Sequence, residues 1–220
     1  MQNIILTVDV VLLTLRNNEL QVVLLKRERE PYRGLPALPG GYVHAEEDMD
    51  SLAAARRVLR EKTSLVSPYL EQLYSFANAT RDPRGWSVSI SYYALLAIDT
   101  LLSQGSDRFQ LHSVDGLPQL PFDHNRIIDF AVRRLRDKSS YSTVPCYLLP
   151  ELFTLSELQR TYEEVLGCKL DKSAFRRKIN QLKFLEPTDR TRTGIHRPAR
   201  LYRIKPSKNL TLFNKTITRT

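Results

Sequence analysis

The sequence predicts two domains, an α+β domain over residues 1–140 and a smaller, basic domain over residues 141–220. Three observations carry that division. Apolar residues recur with strand and helix periods, in a β-β-α-β-β-α order, up to about residue 138. The polar stretch Ser139–Thr143, which has no periodicity, then interrupts the pattern. The charge balance changes at the same place. Residues 1–140 hold 17 Lys and Arg and 17 Asp and Glu, whereas residues 141–220 hold 16 against 7. The net charge of +9 on this 220-residue chain therefore lies entirely beyond the break. Basicity confined to one small domain points to a polyanionic partner, nucleic acid before all others.

In the first domain, Ile4–Leu15 and Leu20–Lys26 are rich in Val, Leu and Ile and flank Arg16-Asn17-Asn18-Glu19, the pattern of a hairpin. A loop marked by Pro and Gly follows, from Pro31 to Gly41. Asp50–Thr63 reads as a helix, with Leu52, Ala55 and Leu59 on one face. Strands are expected over Tyr69–Ala77 and Ser87–Ile98, and a shorter one near Arg108–Val114. His124–Lys138 carries Ile127, Ile128, Ala131 and Leu135 at helical spacing.

In the second domain, Thr154-x-x-Glu157 is a capping box that opens a helix with Leu155, Leu158, Tyr162 and Val165 on one face. Gly167 closes that helix and Asp171 caps the next, whose Phe175, Ile179 and Leu182 turn inward. Leu185-Glu186-Pro187 and Arg200–Ile204 are strand-like, with a polar, basic segment between them. Helix, short turn, helix and two-stranded ribbon is the order of a winged helix-turn-helix.

Several classes are disfavoured. The longest apolar run, Tyr92–Ile98, is far short of the ~20 residues of a membrane helix, so no membrane partner is expected. Met1-Gln2-Asn3 has no basic n-region, which argues against a signal peptide. Cys146 and Cys168 lack metal-ligand spacing and suit a reducing cytosol, so the chain is expected to be cytoplasmic. His44 and His124 read as polar or capping residues rather than metal ligands.

With Phe175 and Ile179 inward, the other side of the second helix shows Lys172, Ser173, Arg176, Arg177 and Asn180. In a major groove Arg reads guanine and Asn reads adenine. The segment Thr188–Arg200 looks like a wing, with Arg190, Arg192, His196, Arg197 and Arg200 to lie along phosphates or enter a minor groove and Gly194 for a turn. A reader of this kind selects double-stranded DNA over RNA, whose readers lean on stacking aromatics.

The segment Leu38-Pro39-Gly40-Gly41, followed by the helix ending Arg57-Val58-Leu59-Arg60-Glu61-Lys62, resembles the Nudix box. Together with Leu24-Leu25-Lys26-Arg27 before it and Asp82-Pro83-Arg84-Gly85-Trp86 after it, the order resembles ADP-ribose-type Nudix proteins over residues 4–138. That resemblance implies a Nudix-like α/β/α sandwich followed by the winged helix-turn-helix domain. It also implies three metal-binding positions, and in this sequence they are Val58, Glu61 and Lys62. One carboxylate beside an ammonium group and an aliphatic side chain does not suit Mg²⁺. No catalytic residue and no metal are therefore expected.

Binding need not vanish with the metal. Gly40 and Gly41 allow close backbone approach to a phosphate. Arg27, Arg57, Arg81 and Arg84 are candidates for pyrophosphate, and Trp86 is a candidate for stacking on a base.

The whole arrangement, including Asp171-Lys-Ser-Ala-Phe-Arg-Arg-Lys-Ile179, resembles the Nudix-related transcriptional regulators of NAD metabolism, the NrtR family. The resemblance implies ADP-ribose as effector with no required cofactor. It further implies a homodimer on an inverted-repeat operator and a repressor of NAD-metabolism genes. The competing expectation is an active hydrolase of ADP-ribose or a related nucleotide carrying a basic accessory domain. The tail Pro206–Thr220 has no counterpart in these motifs.

Overall fold

The hairpin that opens the chain is built as its composition requires. Strands β1 (Ile5–Arg16) and β2 (Glu19–Lys26) are neighbours joined by Asn17 and Asn18, both at positive φ (53° and 61°). Asn tolerates that conformation, which a two-residue hairpin of type I′ demands at both positions. The computed structural model describes residues 4–103, 105, 109–193, 198–206 and 210–217.

The loop expected over Pro31–Gly41 contains two short strands, β3 (Pro36–Ala37) on β2 and β4 (Gly40–Tyr42) on β1. Helix α1 (Ser51–Thr63) is capped by Asp50, whose carboxylate accepts from Ala53 N–H at 2.7 Å. Strands β5 (Tyr69–Asn78) and β6 (Ser87–Leu95) follow. The second ends three residues earlier than its apolar run, because Ile98 opens a short helix, α2 (Ile98–Leu102). Strand β7 covers Gln110–Ser113, and Arg108 lies outside the described residues. The sheet runs β3-β2-β1-β6-β5, with β4 on β1 and β7 on β2. β1 and β6 are parallel, which places β1 at the centre of a mixed sheet.

Residue alternation along β1 separates two faces. Val8, Val10 and Leu12 join Ala54, Ala55, Val58 and Leu59 of α1 in one core. Asp9, on the opposite face, lies beside His124, the first residue of α3 (His124–Tyr141). Phe130 of α3 meets Phe76 of β5 edge-on at 5.3 Å. Helix on sheet on helix is the layering expected of the first domain. α3 runs to Tyr141, through part of the polar segment where a break is expected. Its serines turn back on the helix, Ser139 to Leu135 O and Ser142 to Lys138 O, each at 2.6 Å.

The chain divides into two compact units, Met1–Thr14 with Leu20–Arg133, and Leu15–Glu19 with Arg134–Thr220. In the second, a 3₁₀ turn (Val144–Leu148) precedes α4 (Leu155–Leu166). The capping box is present in both directions: Thr154 Oγ1 accepts from Glu157 N–H, and the Glu157 carboxylate accepts from Thr154 N–H. Gly167 ends α4 at φ 67°, a left-handed conformation that costs glycine nothing. Glu163 then holds the turn, accepting from Leu170 N–H at 3.0 Å and from Gln159 at 3.0 Å.

α5 (Lys172–Leu182) buries Phe175 and Ile179 against Tyr162, Leu158 and Phe184. The ribbon β8 (Leu185–Arg192) and β9 (Ala199–Ile204) is longer than its apolar residues indicate, with a register shift between Pro187 and Thr191. Phe153 adds a bridge to Tyr202, so the ribbon is tied to the start of α4. Removing the cap by Thr154→Ala should destabilise the second unit by about 1 kcal/mol. Urea denaturation followed by far-ultraviolet circular dichroism measures this, and unchanged stability would contradict the assigned cap.

Candidate functional site

In the first unit, positively charged and aromatic side chains gather around Phe122. This residue sits at φ 56°, an uncommon backbone conformation for an aromatic residue, two residues before the start of α3. The Arg27 guanidinium lies over its ring at 4.8 Å and that of Arg84 at 6.0 Å. Tyr32 meets the ring edge-on at 5.1 Å, and His124 lies tilted against it at 5.2 Å. Arg84 also lies over Tyr42, 5.5 Å from its centroid, and donates to the Tyr42 hydroxyl.

These two arginines differ in how their charge is met. Arg84 forms a fork on Asp82, at 2.9 and 2.6 Å, and that pairing raises its pKa. Burial and the nearby Arg84 charge lower that of Arg27. Its donors go to main-chain carbonyls, Nε to Pro31 O at 2.8 Å and Nη2 to Arg29 O at 3.4 Å. Main-chain contacts between Arg27 N–H and Leu35 O and between Gly34 N–H and Arg27 O, both 2.9 Å, close the intervening loop on itself. The two guanidiniums share one ring and form a basin edged by Asp82, whose charge reaches both.

Beneath the basin lies Asp9, a buried carboxylate on the central strand. It accepts from Ser89 Oγ at 2.6 Å and lies 3.5 Å from Arg81 Nη2 and 3.7 Å from His124 Nε2. His124 Nδ1 accepts from Leu38 N–H at 3.2 Å, which puts the ring proton on Nε2, toward Asp9. Burial lowers the His124 pKa, keeping the ring neutral.

The sequence-predicted residues divide among several positions. Arg27 and Arg84 meet at Phe122. Arg81 is buried, forked on Asp123 at 3.2 and 2.9 Å and bonded to Ser87 Oγ at 3.3 Å. Gly40 packs against Asp9, where an added Cβ would lie 2.2 Å from Oδ1, and Gly41 packs against Val58 of α1. Arg57 clamps the loop before α1: Nε and Nη2 grip Asp48 at 2.9 and 2.7 Å, Nη2 reaches Tyr42 O at 3.0 Å, and Nη1 reaches Glu61 at 3.2 Å. Trp86 is partly exposed, and its carbonyl receives Ile5 N–H. Phe122, Tyr32, Tyr42, Asp9, Asp82 and Asp123 were missed by sequence reasoning. The one signal for them is Pro121-Phe122-Asp123-His124, polar and aromatic residues clustered at a helix start.

In the second unit, Lys172, Ser173, Arg176, Arg177 and Asn180 are all exposed, opposite Phe175 and Ile179. On the ribbon Arg190 is exposed, while Arg192 pairs with Glu157 and donates to Leu152 O at 3.3 Å. His196 and Arg197, expected in the wing, lie outside the described residues. α5 therefore presents one continuous polar and cationic face beside a ribbon.

A model of the NrtR DNA-binding winged helix domain matches residues 145–204, and a NUDIX domain model matches residues 6–129. The ADPR responsive transcriptional repressor NtrR of Acinetobacter baylyi is 42% identical over 204 residues, 90% of this chain and 81% of the relative. The chain belongs to the NrtR family. Within that family, the crystal structure of Shewanella oneidensis NrtR complexed with a 27mer DNA superimposes with a TM-score of 0.89 at 38% identity. The match covers 97% of this chain and 99% of that one. The NUDIX domain of the same NrtR, complexed with ADP ribose, matches at TM-score 0.51 and 35% identity, over 61% of this chain and 90% of that one.

The Arg57 clamp has a pH signature. The Arg57 hydrogen bonds hold the Asp48 carboxyl down to about 2, against an ordinary value of 3.8. A depressed carboxylate contributes stability that is complete above its unfolded pKa and is lost as pH falls through the folded one. Asp48→Asn should therefore destabilise the first unit by about 1–3 kcal/mol at neutral pH. It should also flatten the fall in stability between about pH 4 and about pH 2, the two pKa values that bound the window. Denaturation series across that window compare the two chains, and parallel pH profiles would contradict the clamp.

Proposed function

We propose that this chain is an ADP-ribose-responsive transcriptional repressor of NAD-metabolism genes, acting as a cytoplasmic homodimer on an inverted-repeat operator. The single observation that carries this reading is the coexistence, on one chain of the NrtR family, of the Arg27–Phe122–Arg84 basin and the exposed Lys172–Asn180 face of α5. The first is suited to a diphosphate, the second to a major groove. The names of the Acinetobacter and Shewanella relatives support the same pairing of ligand and DNA. One winged module offers one recognition helix, and a two-fold pair sets two in successive major grooves, which favours the dimer. No helix among the described residues is long and apolar enough to cross a membrane.

The first unit acts in this proposal as a sensor without hydrolytic turnover. Where the Nudix resemblance puts metal ligands, Val58 is buried against Gly41, Glu61 is paired with Arg57, and Lys62 brings a positive charge. Among the described residues no group of three His, Cys, Asp or Glu is placed to hold a metal ion. These residues do not fit a pyrophosphatase metal cluster, and the proposal includes no metal-assisted step.

The test is a titration of DNA binding with ADP-ribose, followed by fluorescence anisotropy on duplex recovered from a random-sequence library by the wild-type chain. ADP-ribose should weaken binding to that duplex. The same duplex should weaken ADP-ribose binding by an equal factor, because coupling between two binding equilibria is reciprocal. Equal DNA affinity with and without saturating ADP-ribose would overturn the proposal. So would multiple turnovers of ADP-ribose with Mg²⁺ that are abolished by Glu61→Gln, an outcome that belongs to the hydrolase reading.

A further inference from the structure

The winged-helix family match ends at residue 204, yet the segment 210–217 is built into the second unit. Phe213 and Ile217 are buried in the same core as Phe175 and Ile179 of α5. Phe213 N–H donates to Tyr141 O and Ile217 N–H to Ser140 O, both at 2.7 Å, and Leu212 forms a bridge with Ser142. From α5, Lys178 reaches across to this segment. Its Nζ donates to Lys215 O at 2.7 Å and lies 5.5 Å from the centre of the Phe213 ring. The tail is thereby stapled to the recognition helix itself.

Between them runs an open groove of about 750 Å³, room for a stretch of backbone rather than one ion. α5 supplies Ala174, Arg177, Lys178 and Gln181 to its lining, and the tail supplies Lys215 and Thr216. Three cations face one anion, Asp171, whose carboxylate is engaged in capping α5 through Ala174 N–H at 2.7 Å. Lys215 is exposed, and its side chain takes no part in the staple, which uses its carbonyl. Arg177 stands where the groove adjoins the exposed face of α5, so the groove continues the surface that carries Arg176 and Asn180.

We propose that this groove is a DNA-backbone clamp, in which Lys215 of the tail and Arg177 of α5 grip phosphates of the strand flanking the recognition helix. The inference rests on the reading that α5 enters DNA, and it adds a tail that lies outside the winged-helix match. The ligand is the phosphodiester chain rather than a base, because a lysine ammonium carries charge without a base-reading fork. Lys178 acts as a positioning residue, fixing the tail wall relative to α5.

The experiment measures the binding of the full-length chain to two duplexes by anisotropy over a salt series. One duplex is recovered from a random-sequence library by the wild-type chain, and the other is a scrambled version of it. Lys215→Ala and Lys215→Glu alter an exposed side chain and should leave the melting temperature unchanged. Lys215→Ala should weaken both duplexes by the same factor and reduce the slope of log K against log salt by about 1. Lys215→Glu should weaken both further, and ADP-ribose affinity should stay at the wild-type value in each. Arg176→Ala, in contrast, should reduce the preference for the selected duplex. Unchanged DNA affinity and salt slope in Lys215→Glu, with Arg176→Ala weakened, would overturn the clamp while leaving the regulator reading standing. Loss of ADP-ribose binding in Lys215→Glu, with DNA binding intact, would make the groove a nucleotide site and overturn the clamp as well. A wild-type chain that enriches no duplex from the library would overturn the regulator reading, and the clamp with it.

Discussion

A carboxylate placed on the central strand of a buried sheet must be compensated on every side, and Asp9 imposes that requirement on its surroundings. The compensation comes from three separate parts of the chain. Ser89 donates from the parallel strand β6, Arg81 approaches from the loop before it, and His124 directs its Nε2 proton from the start of α3. β4 passes so close to the same carboxylate that a Cβ at position 40 would press on Asp9 Oδ1. Arg81 brings Asp123 with it, and Asp123 lies between His124 and Phe122 in the chain. The charge network beneath the sheet thus sets where α3 begins, and so where the Phe122 ring stands.

That ring is what brings Arg27 and Arg84 together. Two like charges separate unless something holds them, and here the restraints are aromatic, main-chain and, for Arg84, the Asp82 carboxylate. Phe122 lies beneath both, Tyr42 beneath Arg84, and the Pro31 and Arg29 carbonyls hold Arg27. Asp82 forks on Arg84, and its charge also reaches Arg27. In the proposed function this basin receives the diphosphate, which relieves the repulsion while the aromatic surfaces remain available to ring-shaped groups. Arg57 and Arg81, by comparison, are already surrounded by carboxylates and serve to hold the loops in place.

Much of this architecture is legible in the sequence, and the reasons for the rest are physical. Strand and helix periods are written in side chains that pack locally, so β1, β2, α1, α4 and α5 follow from their apolar spacing and their caps. The recognition face follows too, because burying Phe175 and Ile179 leaves only one side for Arg176 and Asn180. The polar segment Ser139–Thr143 misleads, since serines that bond back to helix carbonyls extend α3 as far as Tyr141. The ribbon is longer than its apolar residues suggest because main-chain pairing continues through Arg192 regardless of polar side chains. The basin is least legible. Asp9 and Arg81 lie 72 positions apart, and the left-handed Phe122 is specified by its neighbours in space rather than in sequence. Arg27, Arg57, Arg81 and Arg84 look equivalent as letters, and only the Phe122 ring, which Arg27 and Arg84 share, tells the basin from the clamps.

In the proposed function, Phe122 organises Arg27 and Arg84 into a diphosphate-recognising pair. Calorimetric titration of the full-length chain with ADP-ribose and with adenosine, before and after Phe122→Leu, tests it most directly. The wild-type chain should prefer ADP-ribose strongly, and Phe122→Leu, with its fold intact by circular dichroism, should lose most of that preference. An unchanged ratio of the two affinities in Phe122→Leu would contradict it.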